Sequence, residues 1–137
     1  MTVANIAPAL PETMRLVAEL IGLPRTLQLV QALGGTTLPI SKNQSKAGQL
    51  RFAALVEVIG EDAASSLTHH FGGDILYVPR CSQALRLARN QQLLNDFDQL
   101  LEQGLGANEA VSVLAIRYQL SDRMVWRVLK TPSQELH

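Results

Sequence analysis

Ser121, Asp122, Arg123, Trp126, Arg127 and Lys130 recur on one side of a short segment whose other side carries Val125, Val128 and Leu129. Guanidinium groups at that spacing can hydrogen-bond guanine edges or phosphate oxygens, and an indole among them can stack or touch a thymine methyl. The plain alternative is a solvated helix face with one aromatic packed on the body. The spacing favours contact with double-stranded DNA. Arg123 stands near the start of the segment, where a recognition helix enters the groove most deeply. Arg127, one turn on, can reach base or phosphate, and Lys130 only backbone. Asp122 would repel phosphate, so capping the helix is its expected role. Arg117, just upstream, joins the set of expected DNA contacts.

Other chemistry finds little support. His69 and His70 are adjacent, so on a helix they point about 100° apart and cannot chelate one ion as an i, i+4 pair could. Cys81 lies just after a strand-ending proline, with no identifiable base to activate it, and reads as a small junction residue. Gly34-Gly35 and Gly72-Gly73 lack the Lys-Ser/Thr or third glycine of a phosphate loop and read as helix-to-strand turns, Gly72 and Gly73 forming a hinge. No enzyme, cofactor or metal is expected.

The elements that must position these residues can be traced backwards. Val111 to Lys130 has helix-turn-helix spacing, with Ala115 at the close crossing, Leu120 in the turn and Ser121 able to cap the next helix. Ser82 to Gln103 is helical, with Leu85, Leu93, Leu94, Phe97, Leu100 and Leu101 on its apolar side, until Gly104 and Gly106 break it. Before it, Ile75 to Val78 is a strand stopped by Pro79.

An offset of 38 residues lays Val17–Lys42 over Leu55–Arg80. Gly22 meets Gly60, Gly34-Gly35 meets Gly72-Gly73, Leu38 meets Leu76, and Lys42 meets Arg80. Each copy reads as helix, glycine stop, second helix, Gly-Gly and short strand. Pro39 lacks an amide donor, so the first strand belongs on an edge. The polar stretch 41–49 is expected to be a loop merging into a helix. The division predicted is a duplicated helix-helix-strand dimerisation region over 1–80 (copies about 15–42 and 53–80), a long connecting helix and glycine turn over 81–106, and a helix-turn-helix over 107–132. The fold class is mainly α with one or two short strands.

The chain has 137 residues, 47% of them hydrophobic, with three Phe, two Tyr and one Trp, so aliphatic side chains must build the core. Net charge is zero, but residues 76–130 hold seven basic and five acidic side chains. Such a small excess binds phosphate weakly from one monomer, and tight binding calls for a dimer. A single cysteine suits a reducing compartment. Without a secretory pattern at the start or an apolar run of spanning length, a cytoplasmic protein with no membrane partner is expected.

His70-Phe71-Gly72-Gly73, Tyr77-Val78-Pro79-Arg80, Gln83-Ala84-Leu85, Asn95-Asp96-Phe97 and Arg117-Tyr118-Gln119-Leu120-Ser121, in that order, resemble the Mor/C family of phage middle- and late-operon transcription activators. The resemblance covers about residues 58 to 130. It implies a homodimer with a helical dimerisation domain, strand pairing between subunits, a helix-turn-helix in the major groove, and recruitment of RNA polymerase. It also adds Tyr77 and Arg80 to the DNA-binding set. Ile75 departs from the family, which carries a polar side chain two residues before that tyrosine, suited to the minor groove. The alternatives are a prophage repressor, and a helical protein-protein interaction module whose helix-turn-helix has drifted. Whether the repeat strands pair within or between subunits is open at this level.

Overall fold

Glycines punctuate the N-terminal half at matched positions, and the backbone follows them. The computed structural model describes residues 6–40, 42 and 45–131. They divide into two compact units, Ala7–Leu85 and the chain from Arg86 onward together with Ile6.

In the first unit a 3-10 turn, Ala7–Ala9, leads to α1 (Glu12–Ile21), α2 (Leu23–Leu33) and β1 (Thr36–Pro39). The same series follows as α3 (Lys46–Ile59), α4 (Glu61–Phe71) and β2 (Ile75–Val78). Gly22 and Gly60 end α1 and α3 with φ of 88° and 89°. Gly35 and Gly73 turn the chain into the strands with φ of 87° and 92°, a region that a side chain with a Cβ enters only at a cost. Ser41 and residues 43–44 of the expected loop lie outside the described residues. The helix after it starts earlier than its apolar pattern suggests, because the Ser45 hydroxyl accepts from the Gly48 amide at 3.0 Å and caps it.

The two strands pair antiparallel, with Thr36 opposite Val78, Thr37 opposite Tyr77, Leu38 opposite Leu76 and Pro39 opposite Ile75. The Ile40 amide donates to the Asp74 carbonyl at 2.9 Å. Since hydrogen-bonded pairs alternate along an antiparallel ladder, Leu38 and Leu76 face each other as a bonded pair, and Pro39 falls at a position whose missing donor points away from β2. This is the edge placement that Pro39 requires.

Helix packing repeats the same relation. Within each copy α1 packs on α2 and α3 on α4, and across copies α1 packs on α4 and α2 on α3. Met14, Val17, Leu29, Leu55, Ile59, Leu67, Leu76 and Val78 are buried in this unit. Thr26 is the buried polar residue here, and its hydroxyl donates to the Gly22 carbonyl at 2.9 Å, so no polar cost is left standing.

The second unit takes in most of α5 (Ser82–Glu102), then α6 (Ala107–Tyr118) and α7 (Asp122–Lys130). The long helix, expected as a connector, thus belongs from Arg86 with the helices that follow it. Leu93, Asp96 and Leu100 share one buried face at spacings of three and four. Ala110, Val111 and Leu114 of α6 and Val125 and Val128 of α7 are buried as these two helices pack together. Pro132, at the end of the expected helix-turn-helix range, lies outside the described residues.

Candidate nucleic-acid interface

The turn between α6 and α7 is three residues long, and each of its backbone ends is satisfied. Gln119 takes a left-handed conformation, φ 55° and ψ 47°, and its amide bonds back to the carbonyls of Ala115 and Ile116. The Leu120 amide donates to the Ala115 carbonyl at 3.0 Å. These reverse bonds close the end of α6 as a Schellman motif does. Ser121 then caps α7, its hydroxyl accepting from the Met124 amide at 3.0 Å. The cap is therefore Ser121, and Asp122 stands one place further on, in the first turn, where its charge favours the positive end of the helix dipole. Ser and Asp are both good caps, and adjacency in sequence hides which of them the chain uses.

With Val125 and Val128 buried, α7 presents Asp122, Arg123, Arg127 and Lys130 to solvent, next to exposed Ser121. Three cations thus share a surface with one carboxylate. Trp126 is half-buried instead of standing free, and the Lys130 ammonium lies 5.5 Å from its ring centroid. The lysine lies over the indole face in a cation–π contact.

Arg117 has a partner inside the protein. Its guanidinium lies 3.2 Å from the Asp96 carboxylate, with about half of the arginine side chain exposed. The same carboxylate accepts from the Tyr118 hydroxyl at 2.5 Å and the Gln92 amide at 3.0 Å. Burial alone would raise the Asp96 carboxyl, but Tyr118, Gln92 and Arg117 together hold it below its ordinary value. Burial and the Asp96 charge push the Tyr118 phenol well up, so the proton stays on tyrosine. This cluster ties the end of α6 to α5, just before the turn into α7. Sequence reading did not assign it, although Asp96 and Tyr118 both lie in motifs of the family resemblance. The two are 22 residues apart, and no local pattern couples them.

Tyr77 and Arg80 belong to the other unit, so the expected DNA-contacting residues are not all gathered on one element. Tyr77 and Ile75 are exposed on the outer face of the β ribbon, beside a groove of about 640 Å³ that Pro11, Thr13 and Phe71 help to line. Arg80 is exposed and packs over Gly35, where a Cβ would come within 3.3 Å of its Nε. Gly72 and Gly73 form the turn before Tyr77, and only the second has positive φ.

His69 and His70 are exposed at the end of α4, and the His70 ring sits edge-on to Phe71 at 4.6 Å. Cys81 is half-buried, and burial pushes its thiol up, away from the reactive thiolate. Among the described residues no group of His, Cys, Asp and Glu could hold a metal ion, and no helix is long and apolar enough to cross a membrane.

A capped helix with an apolar inner face and a cationic outer one thus packs on a second helix across a three-residue turn. A family model matches residues 27–136, and the chain belongs to the Mor transcription activator family. No curated protein and no solved structure matches it.

Proposed function

We propose that this family member activates transcription by binding double-stranded promoter DNA in a sequence-specific manner through α7 and recruiting RNA polymerase there. The observation that carries the reading is the two-sidedness of α7. Val125 and Val128 anchor it, Ser121 fixes its start, and Arg123, Arg127 and Lys130 are exposed together. In a major groove, Arg123 reads a guanine edge, Arg127 lies one turn on, and Lys130 neutralises phosphate. Arg117, held by Asp96, contributes through its exposed half, and Tyr77 and Arg80 add contacts from the first unit. RNA polymerase recruitment rests on the family's activator character.

Selection from a random duplex library tests the reading, followed by placing the enriched sequence ahead of a weak promoter. Enrichment of one sequence and a rise in transcription on adding the protein are expected. A fall in transcription would make it a repressor. Weak, salt-insensitive binding with no enriched sequence would instead mark a protein-interaction module.

A further inference from the structure

We propose that a single chain is the complete DNA-reading unit: the first repeat is the built-in partner of the second, and the target is one asymmetric site read by one helix-turn-helix. The second clause rests on the DNA reading proposed above. The first rests on a two-fold relation that the chain makes with itself.

Residues related by the 38-residue offset occupy equivalent places about a local dyad. Leu38 and its counterpart Leu76 lie directly opposite each other. The Gly35 amide donates to the Val78 carbonyl at 2.6 Å, and the Gly73 amide donates to the Ile40 carbonyl at 2.8 Å, which is one bond made twice. Cations cross in the same way. A Cβ on Gly35 would meet the Arg80 side chain at 3.3 Å, and one on Gly73 would meet the Lys42 side chain at 3.0 Å. The helix contacts across copies, α1 on α4 and α2 on α3, obey the same dyad.

An arrangement of this kind is what two identical subunits make at an isologous interface. Here one chain supplies both halves. A second copy could use the inner edge of β2 only by displacing β1, whose covalent tether gives it a large local concentration advantage. Outer edges recruit poorly, because each strand has four residues and Pro39 removes a donor from the outer edge of β1. Yet the module leads into only one helix-turn-helix. β1 continues into α3, and β2 alone continues into α5, α6 and α7. One reading head per two-fold module calls for no symmetric operator.

The competing arrangement is the homodimer implied by the family resemblance. Sedimentation of the full chain across the micromolar range is expected to give one chain, of 15.0 kDa. A variant carrying Thr37→Cys, Tyr77→Cys and Cys81→Ser tests the pairing directly, since opposed non-bonded pairs have the Cα separation a disulfide needs. Oxidation is expected to close it within a chain. On the duplex enriched by selection, one chain per duplex and a single block of base preference are expected. A sedimenting mass of two chains, disulfides joining two chains, or two inverted blocks about one helical turn apart would overturn the proposal. Failure to enrich any sequence would defeat the DNA reading instead, and the mass and disulfide results would still decide whether the chain closes on itself.

Discussion

Leu38 faces Leu76 across the β ribbon, and each is the other's counterpart in the 38-residue repeat. That coincidence fixes the register of the whole N-terminal unit. A slip of one residue would move buried Leu76 and Val78 to solvent and exposed Ile75 and Tyr77 inward.

The turns into the strands should be intolerant of Cβ atoms, for two different reasons. Gly73→Ala places a side chain at φ 92° and should cost about 1–2 kcal/mol. Gly72→Ala should cost more, because its Cβ would lie 2.5 Å from the Thr68 carbonyl oxygen, a backbone atom that cannot swing aside. Urea denaturation of the single variants and of the double variant checks the order. Wild-type stability in the double variant would show that the turns are not constrained as described.

The Asp96 cluster should make stability pH-dependent in acid. Its carboxyl is held below the ordinary value, so the contribution is fully present above the unfolded pKa of about 3.9 and is lost as pH falls through the lower folded value. Asp96→Asn should be less stable than wild type at neutral pH and should show a flatter decline below about pH 4. Tyr118→Phe removes a hydrogen bond to a charged group and should cost about 1.5–3 kcal/mol. Thermal melts at several pH values read both.

Ser121→Ala should destabilise the protein by about 1 kcal/mol, because the first turn of α7 loses its side-chain acceptor. Ser121→Asp should restore that stability, since a carboxylate caps as well and suits the helix dipole. Wild-type stability in Ser121→Ala would show that Asp122, not Ser121, supplies the cap.

The repeat was legible in sequence because positive φ restricts residue choice, so glycines recur where the backbone demands them. Pro39 likewise announced an edge, since a missing donor cannot sit inside a ladder. The strand partner was not legible: β2 offers the same backbone donors to β1 or to another chain, and only the register distinguishes them. The two last helices and the short turn between them were readable from Ala115, Leu120, Ser121, Val125 and Val128, whose sizes and spacings are local. What positions them was not. Asp96 looks like any polar residue on a long helix until the fold brings Tyr118 and Arg117 to it. Gln119 in a left-handed turn was equally hidden, because glycine is the usual residue there.

Titration of the selected duplex and a scrambled one with wild type, Arg123→Ala and Lys130→Ala, at several salt concentrations, decides whether α7 reads DNA. Arg123→Ala should lose roughly 1–3 kcal/mol on the selected duplex and relax preference at one base pair, with little change on the scrambled one. Lys130→Ala should weaken both duplexes alike and reduce the salt slope by about one unit. Equal losses on both duplexes for the two variants would make Arg123 a phosphate contact. No loss in either would contradict the assignment of α7 as a DNA-reading helix.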